Sequence, residues 1–173
     1  MIDALEMPSK HLTSNAMLEQ ALNITEAAVL VYDVANPESL TLAKGLAEFV
    51  RDSIGSRDYA LMLVGNKSDV DDEDRAVSWA LASKTAAGLK LPSSTCAFTE
   101  VSAKTGENVG NVFPLLGKEV LRLKWLGQQR FEQDRMAKML SQGKKAPTLP
   151  GKRKMGLWKS LTTPFFRRWD TPA

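Results

Sequence analysis

Leu61-Met62-Leu63-Val64-Gly65-Asn66-Lys67-Ser68-Asp69 is an apolar run that stops abruptly at an amide, a cation and a carboxylate. From Tyr59 to Val64 the chain has the length and apolar content of a buried strand, and Gly65 marks where the backbone is expected to leave the sheet. Polar side chains at the carboxyl end of such a strand lie where open α/β sheets bind ligands. Asn66 and Asp69 carry planar hydrogen-bonding groups, and Lys67 has a long apolar stem suited to a flat ring. The combination suits a purine base. The alternative is local: Asn66 and Asp69 could form a turn and cap the next helix.

A second strand end supports the first. Cys96-Ala97-Phe98-Thr99-Glu100-Val101 reads as a short strand and runs into Ser102-Ala103-Lys104-Thr105-Gly106. Here the residues resemble a family. Asn66-Lys67-Ser68-Asp69 is similar to the NKxD guanine-specificity motif of Ras-like small GTPases, and Ser102-Ala103-Lys104 is similar to their SAK motif. Thr105-Gly106-Glu107-Asn108-Val109 continues it in Ras and Rab fashion. Val29-Leu30-Val31-Tyr32-Asp33-Val34 resembles the central strand that precedes both motifs. Two motifs in order on strand ends are far more specific than either alone, and the resemblance covers roughly residues 27–126.

The resemblance implies roles for these residues. Asp69 would accept hydrogen bonds from the guanine N1 and N2 donors, which adenine does not offer. Asn66 would hold the loop and face the base, and the stems of Lys67 and Lys104 would flank the ring. The Ala103 N–H would donate to guanine O6, and Ser102 would steady the recognition loop. The family implies GTP and GDP as ligands and effector and regulator proteins as partners, with Mg²⁺ expected only for a full-length form. The family's activity is GTP hydrolysis.

The intervening chain reads as α/β. A strand is expected near 27–34, left by Asp33-Val34-Ala35-Asn36, with Asn36 as N-cap and Pro37 as first helical residue. Leu40, Ala43, Leu46, Ala47, Val50 and Ile54 recur at helical spacing and Gly55 ends the helix, which makes a βαβ unit with the strand at 59–65. The run Asp71-Asp72-Glu73-Asp74 suggests a solvated loop, with metal ligation as the alternative. Ser78 is placed as N-cap of a helix over 79–87. A third strand follows at 96–101. Asn108 is placed as the cap of a last helix, in which Gly110 and Pro114 spoil the first turns. Val112, Leu115, Leu116, Val120, Leu123 and Leu126 give that helix a long apolar face, and beyond Gly127 a charged, exposed extension runs to about Gln142. Upstream, Leu12 to Ile24 carries a modest helical pattern. The fold expected is a mainly parallel sheet with flanking helices, a Ras-like G domain lacking its N-terminal strands, over residues 1–142.

Of 173 residues, 43% are hydrophobic, enough for one domain with a core and a tail. The single Cys96 excludes an intramolecular disulfide and suits a small buried thiol. No apolar run approaches the ~20 residues that span a bilayer, and the first residues carry no signal-peptide segment. A cytoplasmic protein is expected, with peripheral attachment to the inner face of a membrane as an option.

Charge is divided along the chain. From 141 to 173 there are eight basic residues against one acidic, a net of +7 that leaves −4 on the remainder of a chain with net charge +3. In the stretch 143–173, read as a flexible tail with Pro147, Pro150 and Pro164, Lys152, Arg153, Lys154, Lys159, Arg167 and Arg168 alternate with Trp158, Phe165, Phe166 and Trp169. Basic residues with interfacial aromatics suit an anionic membrane surface. A solvated disordered tail and, last, a nucleic-acid patch are the other readings. The chain ends Asp170-Thr171-Pro172-Ala173, which is not a prenylation box.

Nowhere do these residues contain a GxxxxGK[ST] phosphate loop. Asp3-Ala4-Leu5-Glu6 stands near the place of the family's DxxG motif but has Glu6 for its glycine, and Met7 where the water-positioning glutamine would be. No catalytic residue is therefore assigned. The expectation is a truncated product of a longer GTPase; the alternative is a non-catalytic pseudo-GTPase that docks on membranes or partners. Without its neighbouring phosphate-loop strand, the strand at 27–34 would form an exposed edge.

Overall fold

The computed structural model describes residues 4–7, 15–89 and 96–142. Its centre is β2 (Ala60–Asn66), where the fully buried run from Ala60 to Gly65 leaves no water for the backbone, so its N–H and C=O groups need a strand on each side. β1 (Ala27–Asp33) pairs with it in parallel from Ala27 opposite Ala60 to Asp33 opposite Asn66. β3 (Ala97–Glu100) pairs on the other side, from Met62 opposite Ala97 to Gly65 opposite Glu100. The sheet order is β1-β2-β3, all parallel.

Alternation along β2 divides the core in two. Leu61 and Leu63 face a cluster with Tyr32, Val34 and the buried positions of α1 (Asn15–Ile24), α2 (Pro37–Ile54) and α3 (Trp79–Gly88). Ala60, Met62 and Val64 face Val101 and the residues Val112, Leu116 and Leu123 of α4 (Val109–Ser141). Each fully buried Leu or Met contributes roughly 1.5–3 kcal/mol relative to exposure. Helices lie on both faces, as a parallel sheet requires, but cover β1 incompletely: Val31 is 60% exposed.

The helices start where the sequence places their caps, with one exception. Asn36 Oδ1 accepts from the N–H groups of Glu38 at 3.0 Å and Ser39 at 3.4 Å, with Pro37 inside the first turn. Replacing Asn36 with Ala is expected to cost about 1 kcal/mol, seen as a lowered urea midpoint with an unchanged slope. Ser78 caps α3 through the Leu81 N–H. Asn108 does not cap α4. It takes a left-handed φ of +58°, and its side-chain amide donates to the Glu100 carbonyl at 3.3 Å, tying the loop back to β3. Pro114 lies within α4, on an exposed position together with Gly110, so the break in the hydrogen-bond ladder lies on the solvent side.

Two further differences refine the sequence reading. Gly65 does not mark the exit from the sheet; it remains in the ladder, opposite Tyr32 and Glu100. A Cβ on it would lie 2.6 Å from Tyr32 Oη and 2.9 Å from Cζ, so glycine is needed there for close packing of the phenol, not for a turn. The chain turns at Lys67, with φ of +67°. Cys96 is buried and its thiol is pushed up to about 11 by desolvation, as an inert core residue should be.

Compact packing divides the chain after Arg130. In the second unit the described residues Phe131 to Ser141 continue as helix, with Phe131 and Leu140 exposed. The basic and aromatic residues of 143–173, and Leu12 of the first helical pattern, lie outside the described residues.

Candidate functional site

The parallel pairing sets the carboxyl ends of β2 and β3 side by side, and their loops are sewn together by backbone bonds. The Val101 N–H donates to the Gly65 carbonyl at 2.8 Å and the Ser68 N–H donates to the Val101 carbonyl at 3.0 Å. The loop after β3 closes on itself through Gly106 N–H to Ser102 O at 2.8 Å and Ser102 N–H to Glu107 O at 3.1 Å, with Gly106 at φ +83°. A left-handed residue is what this turn demands, and glycine adopts it without a steric cost.

On this frame all six residues expected at the site come together. Asn66 Oδ1 accepts from the Ala103 N–H at 3.0 Å. Ser102 is fully buried; its hydroxyl donates to Asp69 Oδ1 and accepts from the Thr105 N–H at 3.0 Å. Lys104 Nζ lies 3.4 Å from Asp69 Oδ2, and Lys67 Nζ pairs with Asp33 Oδ2. Asn66 and Asp69 therefore reach across to the neighbouring loop rather than serving a local turn, and the cap of the next helix is Ser78.

The electrostatics keep the carboxylates ionised. The Ser102 hydroxyl first, then the residue's own backbone N–H and Lys104, hold the Asp69 carboxyl below the usual aspartate range against a desolvation that would raise it. The Lys67 ammonium does the same for Asp33. An ionised Asp69 is acceptor-only, and each of its oxygens has lone pairs beyond those used by Ser102 and Lys104. Lys104 is largely exposed and free to move aside. What the cluster offers a ligand is a fixed negative acceptor beside an amide, with two cationic side chains flanking it.

Sequence reasoning missed the support beneath the site. Arg75 donates to both oxygens of Glu100, each at 3.0 Å, and also to the Val77 carbonyl at 3.2 Å. The two side chains are only 19% and 12% exposed. The pair pins the segment after Asp69 to the strand that leads into Ser102. Tyr32 packs beside it, its phenol pushed up to about 12 by burial and by Glu100. Neither Tyr32 Oη nor Ser68 Oγ has a hydrogen-bond partner among the described residues. The available signal was Glu100 itself, since a carboxylate within a half-buried strand calls for a counter-charge.

The acidic run 71–74 is exposed and forms turns. Among the described residues no group of His, Cys, Asp or Glu side chains is arranged to hold a metal ion, and no helix is long and apolar enough to cross a membrane.

The sequence is similar to known proteins of one family. A family model described as the Ras family matches residues 14–122. The chain belongs to the Ras family. The match reaches beyond the two loops to take in all three strands and α1 to α3, so the parallel sheet with flanking helices is a Ras-like domain. Among curated Ras-family and related proteins, a GTP-binding protein Rheb homolog of Dictyostelium discoideum is 39% identical over 93 residues, 53% of this chain and 46% of that protein. The Ras-like protein rasX of the same organism is 34% identical over 113 residues, 65% and 50% of the two chains. A Ras-related protein Rab5 of Nicotiana tabacum is 31% identical over 96 residues, 56% and 44%. The chain thus spans about half the length of the curated relatives it matches.

Proposed function

We propose that this chain recognises the guanine base of GTP and GDP through the β2 and β3 loops, in the manner of a small GTPase that serves as a signalling or trafficking switch. The observation that carries the reading is Asp69: an ionised carboxylate, locked by buried Ser102, at the end of the central strand. Guanine presents an N–H and an NH₂ on one edge, which a carboxylate accepts and adenine cannot match. The Ala103 N–H, bonded to Asn66 Oδ1 in the free protein, would turn from that oxygen to the base carbonyl when guanine enters. The stems of Lys67 and Lys104 border the ring.

Recognition of the phosphates has less support. The sequence contains no GxxxxGK[ST], and Glu6 and Met7 stand where the resemblance would place a glycine and glutamine. Hydrogen bonds to charged groups contribute ~1.5–3 kcal/mol each, so three missing phosphate-loop contacts weaken nucleotide by roughly a thousandfold or more. Isothermal titration of the 173-residue chain is expected to show weak binding that prefers GDP and GTP over ATP, with phosphate release at background. Tight GTP binding with turnover would overturn the hydrolysis-deficient part of the reading; equal weak binding of ATP would overturn the base reading. Among the described residues no group of His, Cys, Asp or Glu side chains is arranged to hold Mg²⁺, and no step is assigned to it.

The second reading, a protein that docks by its tail, is favoured by the net +7 of residues 141–173 with interleaved aromatics. Each Lys or Arg near an anionic surface adds about 1 kcal/mol. Co-sedimentation with vesicles containing anionic lipid should fall as salt rises, and fall again when Trp158, Phe165, Phe166 and Trp169 are changed to Ala. Equal binding to neutral vesicles would remove the electrostatic part. The two readings are compatible within one membrane-associated switch.

A further inference from the structure

Lys67 is held at both ends. Its backbone takes φ +67°, one of two non-glycine residues in the left-handed region among those described, a conformation that persists only where its surroundings enforce it. Its ammonium meets Asp33 Oδ2 at the end of β1, the strand residue paired with Asn66.

Asp33 is the rigid partner of the two. Its Oδ1 accepts from the Ala35 N–H at 2.9 Å and its own N–H donates to Ser39 Oγ at 2.9 Å. The Asp33 side chain is 26% exposed against 57% for that of Lys67, so a flexible side chain is tethered to a fixed carboxylate. The ammonium holds the carboxyl below its usual range. An ion pair this exposed adds little to folding stability, because solvent screens it and two side chains lose freedom. Its consequence lies in where it puts the four-carbon stem.

We propose that Asp33 is a positioning residue for base recognition: by anchoring the Lys67 ammonium over β1, it lays the lysine stem alongside Asn66 as an apolar rail for one face of the purine. This rests on the guanine reading above. A lysine left loose must be ordered when the base arrives, and the freedom lost in ordering one long side chain corresponds to about a tenfold loss of affinity.

The test is a double-mutant cycle on the full 173-residue chain: wild type, Asp33→Asn, Lys67→Met and the double variant. GMP and AMP at millimolar concentration are the probes, read by ligand-observed NMR, and each protein's urea midpoint is measured alongside. Asn retains an oxygen for the Ala35 N–H, so the fold is kept. The expected result is that Asp33→Asn weakens GMP binding about tenfold while its urea midpoint stays near wild type, and that it has no further effect once Lys67 is Met. The proposal is overturned if Asp33→Asn binds GMP as wild type does, or if the two losses multiply. If Asp33→Asn shifts the urea midpoint, the cycle still decides, since a fold defect would persist in the Lys67→Met background. Wild type that binds GMP and AMP equally would sink the guanine reading and this inference with it. A wild-type GMP preference with an inert Asp33→Asn change would sink this inference alone.

Discussion

Asp69→Ala is expected to abolish the proposed preference for guanine over adenine nucleotides while leaving the chain folded. The carboxylate would supply acceptors for two donors on the base, and hydrogen bonds to a charged partner discriminate by about tenfold to a hundredfold each. Removing it should lower GMP affinity by two or more orders of magnitude and leave AMP unchanged, so the ratio of the two collapses to near one. Competition titrations against a fluorescent guanine nucleotide measure that ratio. The pH dependence has a defined sign. The folded-state pKa of Asp69 is depressed below the ordinary 3.8, so the carboxylate and its contribution are fully present above that value. Both are lost as pH falls through the depressed value. A preference that disappears near neutral pH would point to another titrating group and against Asp69.

Arg75→Met is expected to destabilise the domain by about 1–3 kcal/mol, because it leaves the part-buried Glu100 carboxylate without its hydrogen-bonding counter-charge. Glu100 is 12% exposed and both of its oxygens are used by Arg75. For a marginally stable domain of about 5–15 kcal/mol, a loss of that size shows as a clear drop in the urea midpoint. The companion variant is informative. Changing Arg75 to Met and Glu100 to Leu together should recover most of the stability, since a well-packed apolar pair replaces a part-buried ion pair at little net cost. A double variant as unstable as the single would mean that the Arg75 bond to the Val77 carbonyl, not the ion pair, carries the effect.

The legible parts of the fold were those written in local periodicity. A continuous apolar run read as a buried strand, although residues 29–34 were the ones that resembled the family's central strand and β2 holds that place here, and Asn36-Pro37 opens α2 by a mechanism that acts within four residues. The pairing of two polar loops at adjacent strand ends followed from their order on successive strands. What escaped were features decided by residues distant in sequence. Gly65 looked like punctuation because a sequence cannot show the Tyr32 ring lying over it. Asn108 looked like a cap because its type suits one, yet its amide is drawn to the Glu100 carbonyl. The links between Lys67 and Asp33 and between Arg75 and Glu100 join residues whose nearness exists only once the sheet has formed.

The spatial order of the strands is their order of synthesis. Each strand pairs with the one made just before it, Ala60 against Ala27 and Ala97 against Met62, with one helix closing each loop. Closure of such loops costs little more than closure of a shorter one, and chains emerge from the ribosome amino end first. β1, α2 and β2 can thus assemble as a unit whose free edge is the template for β3. Docking of β3 then brings Ser102 to Asp69, so the paired loops are completed by the last of the three described strands. A nascent chain paused before residue 97 would hold its sheet pairing between β1 and β2 and no site.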